Sequence, residues 1–159
     1  VHRGDFSREL FENLNPKKLT LVDPWIAFDD PEYSNSFYGN KNKDGQSLQD
    51  QYYDEVVKNF NNEIKNYKVE IVRDTSDNFF KKNIIEFDLI YIDGNHIYEF
   101  VKNDIFNSLK SLKQGGIIVL DDYKLKGWWK DGVTKAVNYY HTNNKVNLLA
   151  KHDFFNYHH

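Results

Sequence analysis

The feature that most constrains the fold is a repeated alternation between short apolar runs and amphipathic stripes. The apolar runs cover Leu19–Val22, Val69–Val72, Phe87–Ile92 and residues 117–120. Before, between or after these runs lie stretches whose apolar residues recur at helical spacing, here called helical stripes. Alternation of this kind predicts an α/β fold with a Rossmann-like, doubly wound and mostly parallel sheet. The all-apolar run at residues 117–120 indicates a strand buried on both faces. The stripes comprise Phe6, Leu10, Phe11 and Leu14; Tyr53, Val56, Val57, Phe60 and Ile64; Val101, Ile105, Leu109 and Leu112; and Val133, Ala136, Val137 and Tyr140.

Helix-capping residues, prolines and glycines set the expected boundaries of these elements. Asp5 or Ser7 is predicted to cap the first helix, and Asn15-Pro16 to end it. Gly115-Gly116 is expected to separate the third stripe from the strand that follows. Residues 76–82 are predicted to form a short helix, and residues 146–149 and 154–157 a C-terminal antiparallel hairpin. We therefore expect one domain over residues 1–159, in which the polar stretch 29–50 is a loop, either a functional lid or disordered.

Composition narrows the class of partner. The 159 residues carry a net charge of −3, which argues against a dedicated binder of nucleic acid or membrane surface. Cysteine is absent, which excludes disulfides, zinc–thiolate sites and cysteine nucleophiles and is typical of a cytoplasmic protein. We expect a small-molecule partner, and the sequence leaves homo-oligomer formation open.

Acidic residues follow all four predicted parallel strands: Asp23, Asp74, Asp93 and the pair Asp121-Asp122. Aspartate is common in turns, but four carboxylates at one edge of a sheet predict a ligand site, because ligands bind beyond the carboxyl ends of parallel strands.

The first half of the chain holds candidate nucleoside contacts. Asp23 is placed to accept hydrogen bonds from two ribose hydroxyls, or else it is a simple turn residue before Pro24. Gly4 suits a backbone that approaches a cofactor closely, although a strand–helix turn also favours glycine. Asp74, Thr75 and Ser76 are candidates for hydrogen bonds to an adenine edge. The alternative is that Ser76 caps the short helix, and the two roles are compatible.

The second half holds the candidate reactive groups. Asp93, Asp121 and Asp122 are predicted to converge and to bind a hard cation such as Mg²⁺; the alternative is that they cap a helix and contact a cofactor. His96 is a candidate general base on the same loop as Asp93, or an exposed loop histidine. The nearby aromatic residues Tyr123, Trp128 and Trp129 either line an acceptor pocket or pack under the last helix.

Two blocks of sequence resemble a known family. Residues 87–99, FDLIYIDGNHIYE, and residues 112–123, LKQGGIIVLDDY, followed by Gly132-Val133 and Ala136-Val137, resemble class I S-adenosylmethionine-dependent methyltransferases. The similarity is greatest to the macrocin O-methyltransferase-like and cephalosporin-hydroxylase-like branch. Residues 3–7, RGDFS, resemble the end of the glycine-rich first motif, and residues 21–25, LVDPW, resemble the second. The resemblance implies that the first strand of the fold precedes Val1, as in a chain truncated at its N-terminus.

The resemblance also implies roles. S-Adenosylmethionine would contact Gly4, Asp23, Asp93 and residues 74–76, with Asp23 on its ribose and the others beside its adenine or methionine parts. Asp93, Asp121 and Asp122 would hold Mg²⁺, and His96 would be the general base. The implied reaction is metal-assisted methylation of a hydroxyl on a sugar or small metabolite. Two alternatives stay open: a non-catalytic Rossmann-like binding domain, and a methyltransferase with a nitrogen acceptor and no metal.

Overall fold

The computed structural model describes residues 1–29, 45–143 and 145–150. The chain divides into two compact units, Val1–Asn83 and Ile84–His159, and each is an α/β assembly in itself. Most of the predicted loop 29–50 and the predicted strand 154–157 lie outside the described residues. Among the residues that are described, no helix combines the length and apolarity needed to span a membrane.

The described residues of unit 1 form two parallel strands and four helices. Strand β1 pairs with β2 in register from Leu19 opposite Val69 to Val22 opposite Val72. Because the strands are parallel, a crossover connects them, and two helices lie within it. In chain order the elements are α1 Asp5–Leu14, β1 Leu19–Val22, α2 Gly45–Asn59, α3 Asn61–Lys65, β2 Val69–Val72 and α4 Ser76–Lys82.

The core of unit 1 lies between the sheet and helix α2. The side chains of Trp25, Val56 and Phe60 are fully buried there, together with Leu21 and Val69 from the strands. Burial of side chains this large supplies most of the free energy that stabilises such a unit. The core therefore fixes the loop after β1 against α2.

Three expectations for unit 1 are corrected. The N-cap of α1 is Gly4, in the left-handed conformation, and not Asp5 or Ser7. Helix α2 begins at Gly45, so the end of the predicted polar loop is helical; its first turn is polar and shows no apolar period. Tertiary contacts hold that turn, since Gln46 Nε2 donates to Trp25 O at 2.9 Å. The single predicted stripe from Tyr53 to Ile64 is two helices, interrupted at Phe60 where ψ is 14°.

Unit 2 contains a second pair of parallel strands. Strand β3 pairs with the next strand from Leu89 opposite Ile117 to Ile92 opposite Leu120, with a register shift between Phe87 and Leu89. The fully buried face of the last helix packs against Val101 and Ile105 of the helix between the strands, as its predicted stripe requires. The elements are β3 Phe87–Ile92, α5 Tyr98–Lys110, β4 Leu112–Leu120 and α6 Gly132–Thr142.

Unit 2 corrects three further expectations. Strand β4 begins at Leu112, before Gly115-Gly116, because Leu112 pairs with Phe87 and the two glycines lie in the register shift that follows. A Cβ on Gly116 would lie 2.8 Å from Cγ of Leu112 and 3.0 Å from the Asp88 carbonyl oxygen. The strand is not buried on both faces, since Ile117 is 42% exposed and Val119 is 37% exposed. Residues 146–149 are not a strand, so the predicted hairpin lacks its first arm within the described chain.

The architecture is thus mixed α/β, built on two small parallel sheets of order β1-β2 and β3-β4. Each pair has the strand–helix–strand connectivity that the alternation predicts, which a Rossmann-like methyltransferase also has. A single continuous doubly wound sheet and a single domain stay predictions.

Candidate functional site

Asp23 follows β1 and is held by backbone donors. Its own N–H donates to Val72 O at 3.2 Å, which places the residue at the carboxyl edge beside the end of β2. Oδ1 accepts from the Trp25 N–H at 2.8 Å, and Oδ2 accepts from the His2 N–H at 3.1 Å. The side chain is only 6% exposed. The structure thus shows a fixed carboxylate that stabilises the turn before Trp25, and ribose binding stays a prediction.

Gly4 lies at the start of α1 and is glycine for two reasons. Its φ of +86° is unfavourable for other residues, and a Cβ there would lie 3.1 Å from Cγ2 of Val56. These contacts account for the glycine without a ligand. Cofactor contact at Gly4 stays a prediction.

Asp74 and Thr75 cap helix α4. Oδ1 of Asp74 accepts from the Thr75 N–H and from Asn78 Nδ2, both at 2.8 Å, and Oδ2 pairs with Lys82 Nζ at 3.0 Å. Bonds from Asn78, Lys82 and the Thr75 backbone lower the pKa of Asp74 to about 2. Thr75 Oγ1 accepts from the Asn78 N–H at 3.3 Å, and Ser76 begins the helix. The N-cap is therefore Thr75, and Ser76, the residue expected to cap the helix, is its first helical residue. Adenine contact by Asp74, Thr75 and Ser76 stays a prediction.

Asp93, Asp121 and Asp122 lie together at the carboxyl edge of the β3–β4 sheet. The Asp121 N–H donates to Ile92 O at 3.1 Å, which continues the strand pairing to the residue before Asp93. Asp122 has a φ of 55°, and its N–H donates to Oδ1 of Asp121 at 2.9 Å. Aspartate tolerates this left-handed conformation better than most residues. The backbone thus turns sharply where β4 ends and directs the Asp122 side chain to a neighbouring loop.

His96 is the partner of these carboxylates. Its Nε2 lies 3.0 Å from Oδ2 of Asp122 and 3.6 Å from Oδ1 of Asp93. The imidazole is 17% exposed, so it is not the freely exposed loop histidine of the alternative interpretation. Asn95 shapes the loop, because its Oδ1 accepts from the Ile97 N–H at 2.9 Å. Strand ends and loop together bring four of the predicted site residues into one cluster.

The surroundings of this cluster disfavour the ionised forms of its acidic groups. Burial, reinforced by the charge of Asp121, raises the pKa of Asp93. Burial also raises the pKa of Asp122, although the adjacent His96 opposes the shift. Burial, followed by the charge of Asp121, raises the pKa of Tyr91 on β3. Such shifts are typical of functional sites, and the excess of carboxylates here favours a positively charged ligand or side chain.

The described residues do not present a ready metal site. Oxygen ligands are the right chemistry for Mg²⁺, but nowhere in the described ranges do three or more His, Asp or Glu side chains form a group that could hold a metal ion. Nε2 of His96 lies close to both Asp93 and Asp122, where a cation bridging them would have to bind. The predicted Mg²⁺ site is therefore not supported by this arrangement.

Among the aromatic residues after β4, Tyr123 takes the predicted packing role, whereas acceptor contact by Trp128 and Trp129 stays a prediction. Tyr123 packs against the core of unit 2, and its hydroxyl donates to Asn138 Oδ1 on α6 at 3.1 Å. The ring of Trp129 instead lies against His96, with centroids 4.7 Å apart. Gly132 also contacts this loop, since a Cβ there would overlap the His96 carbonyl oxygen. No site role was predicted for Gly132. Its signals were its place in the block that resembles the family and a glycine at the first position of a helix, where it is not favoured.

Comparison with known proteins identifies the family of the chain. A family model described as "Methyltransferase domain" matches residues 1–123, which is most of the chain and includes every predicted site residue. Among curated proteins, no significant match to the sequence was found. The mixed α/β architecture with small parallel sheets is consistent with a Rossmann-like methyltransferase. The chain therefore belongs to the family of class I S-adenosylmethionine-dependent methyltransferase domains.

Proposed function

We propose that the protein transfers a methyl group from S-adenosylmethionine to a hydroxyl of a small molecule, with His96 as the general base. The observation that carries this proposal is the contact of His96 Nε2 with Asp122 at 3.0 Å, at the carboxyl edge of a parallel sheet. Ligands of α/β proteins bind beyond that edge. An imidazole is the side chain best able to exchange a proton near neutral pH.

The two ring nitrogens of His96 have different surroundings. Nε2 faces Asp122 and Asp93, so in the neutral imidazole its N–H donates to a carboxylate. Nδ1 then carries the free electron pair, and among the described residues no partner occupies it. This arrangement, in which a carboxylate orients the base, is a recurrent one in enzymes that activate hydroxyl groups.

The proposed step balances in atoms and charge. S-Adenosylmethionine, when bound, supplies a methyl group on a positively charged sulfur. The hydroxyl oxygen of the acceptor forms the new bond to that carbon, the sulfur–carbon bond breaks, and its electron pair returns to sulfur. Nδ1 of His96 takes the hydroxyl proton, and Asp122 stabilises the resulting imidazolium. Asp93 and Asp121 add negative charge that favours binding of a cationic donor.

The residues proposed to contact the cofactor are those that the sequence predicts. Asp23 is rigid: Oδ2 accepts from the His2 N–H and lies 3.2 Å from the Val1 ammonium, and Oδ1 accepts from the Trp25 N–H. Oδ1 retains a lone pair that suits a hydrogen bond from a ribose hydroxyl. Gly4, residues 74–76 and Asp93 complete the proposed set. The proposed acceptor is a sugar or other small-metabolite hydroxyl, as in the macrocin-like branch that the sequence resembles.

Metal assistance is a second candidate, favoured by one observation. The raised pKa values of Asp93 and Asp122 show that their charge is incompletely compensated, and a divalent cation would compensate it. Asp93, Asp121 and Asp122 would hold that ion, which would polarise the acceptor hydroxyl. In the structure, His96 lies between Asp93 and Asp122, where such an ion would bind. The proton transfer above therefore uses side chains alone.

Calorimetry and an acceptor panel test the proposal. The chain is titrated with S-adenosylmethionine and S-adenosylhomocysteine, and methyl transfer from labelled donor is then measured over sugars, phenols and amines. We expect saturable cofactor binding, transfer to a hydroxyl, and a 10²–10⁴-fold loss of turnover in His96→Ala with cofactor affinity retained. Absence of cofactor binding would exclude the methyltransferase. Binding without transfer would favour the non-catalytic domain, and transfer to an amine the nitrogen acceptor.

A further inference from the structure

We propose that the segment 127–132, between β4 and α6, is the positioning element for His96, with Trp129 acting on its ring and Gly132 on its backbone. The inference rests on the proposed role of His96 as the base. It adds Trp129 and Gly132 to the cluster formed by His96 and its carboxylates.

The first contact fixes the imidazole plane. The rings of Trp129 and His96 lie 4.7 Å apart with an interplanar angle of 38°. Trp129 is itself confined, because its ring lies 2.5–2.8 Å from the position of a Cβ on Gly127. The Lys130 N–H donates to Gly127 O at 2.9 Å and closes this turn. Glycine at position 127 therefore lets the indole fold back on its own turn and reach His96.

The orientation of the Trp129 indole serves the contact of its ring face and not a hydrogen bond from its N–H group. Nε1 of Trp129 is buried and has no hydrogen-bond partner within the described chain. A buried donor without a partner opposes folding, and such groups in native structures call for an explanation. The contact of the ring face with His96 is that explanation, because the orientation that serves the imidazole leaves the N–H unsatisfied.

The second contact fixes the backbone of His96. Gly132 is the first residue of α6, and a Cβ on it would overlap the His96 carbonyl oxygen and lie 2.6 Å from the Tyr98 nitrogen. The next residue along the helix, Val133, is 2% exposed and anchored in the core of unit 2. Helix α6 therefore supports the loop at the residue whose side chain must reach Asp122.

The two contacts act on one geometric requirement. Nε2 must stay 3.0 Å from Asp122 on a different strand end, although His96 lies on a loop with a rotatable side chain. Gly132 supports the backbone of His96 and Trp129 supports its ring. Together they restrict both the movement of the loop and the rotation of the side chain. A displacement of the base by about 1 Å is enough to reduce turnover by about 10²-fold.

Nuclear magnetic resonance of the histidine rings tests the inference without an acceptor. Signals of His96 are assigned by their loss in His96→Gln, and His141, exposed on α6, is the internal control. The ring current of Trp129 should displace the His96 carbon-bound proton signals from those of an exposed histidine. We expect Trp129→Leu to abolish that displacement, Trp129→Phe to keep most of it, and neither to move the His141 signals.

Gly132→Ala tests the backbone contact separately, and should move the His96 signals more than those of His141. If Gly132→Ala does not fold, the comparison of Trp129→Leu with Trp129→Phe still tests the inference. Unchanged His96 signals in a folded Trp129→Leu protein would overturn the inference. So would equal losses of turnover in Trp129→Leu and Trp129→Phe, since we expect kcat to fall by about 10²-fold only in the leucine variant, with an unchanged KM for the donor. Failure of the proposed function is distinguishable, because wild-type protein would then transfer no methyl group.

Discussion

The imidazole Nε2 of His96 lies 3.0 Å from Oδ2 of Asp122, across two adjacent strand ends of the β3–β4 sheet. The contact joins a loop residue to a residue that a left-handed turn exposes at the end of β4. It is the relationship on which the proposed chemistry depends.

Removal of the Asp122 charge should disable the base without disturbing the cofactor. In Asp122→Asn we expect kcat to fall by about 10²-fold, because the imidazole loses the group that orients it. Calorimetric affinity for S-adenosylhomocysteine should be unchanged. Asp88→Asn is the matched control, since Asp88 is exposed and pairs only with Lys113 on the same sheet. Loss of cofactor affinity with turnover retained would show that Asp122 has been given the wrong role.

Alanine should be tolerated at one loop glycine and not at another. Gly4→Ala places a side chain at a φ of +86° and against Val56, and should lower the free energy of unfolding by about 1–2 kcal/mol. Gly94→Ala has ordinary clearance, 3.6 Å to Asp104 Oδ2, and should not destabilise the protein. Denaturant unfolding of both variants measures the difference. Equal stability of the two would contradict the packing described for Gly4.

Neutralisation of Asp93 should stabilise the protein at neutral pH. Its pKa in the folded state is raised, mainly by burial and then by Asp121, so the ionised form opposes folding. Asp93→Asn should therefore raise Tm at pH 7. The gain should shrink as the pH falls through the raised pKa and vanish below about pH 3, where the carboxyl is protonated in both states.

Asp93 is 45% exposed, so solvent screening limits the size of this gain. Thermal unfolding of wild type and Asp93→Asn between pH 3 and pH 8 measures it. A variant less stable than wild type at pH 7 would show that the contact with His96 outweighs the cost of burial.

Asp74 should show the opposite pH dependence. Its pKa is lowered to about 2 in the folded state, so its contribution to stability is present above the ordinary value of about 4. That contribution should disappear as the pH falls from about 4 to about 2. Asp74→Asn should lower Tm at pH 7 and have no effect near pH 2.

Thr75→Ala provides the comparison for Asp74. The Thr75 hydroxyl caps the same helix and does not titrate, so its loss of about 1 kcal/mol should persist at both pH values. Thermal unfolding of the two variants at pH 2, 4 and 7 separates the effects. A pH-independent loss in Asp74→Asn would contradict the charge-based account.

Chelation should distinguish the two proposed mechanisms. Because His96 lies between Asp93 and Asp122 and no metal-binding group is formed in the ranges described, we expect turnover to persist in EDTA. The measurement compares methyl transfer in EDTA with transfer after Mg²⁺ is restored. A loss of more than about tenfold that Mg²⁺ reverses would favour the metal-assisted candidate.

The sequence by itself determined most of the elements and their order, although it predicted one helix where α2 and α3 lie and a strand at residues 146–149 that does not form. Apolar runs and the helical period of 3.6 are local properties, so strand Phe87–Ile92 and the buried stripe of α6 were predictable, with Val133, Ala136, Val137 and Tyr140 all buried as expected. The acidic strand ends were equally visible. Parallel pairing then required Asp93 and Asp121 to share an edge, as they do.

Only the tertiary structure decided what depends on distant partners. The first turn of α2 has no apolar period and is held by contacts with the loop after β1, and strand β4 starts at Leu112 because Leu112 pairs with Phe87. The contact of Nε2 with Asp122, and the support of His96 by Trp129 and Gly132, join segments more than 20 residues apart. Periodicity records which side of an element is buried; it does not record which atoms of another element lie there.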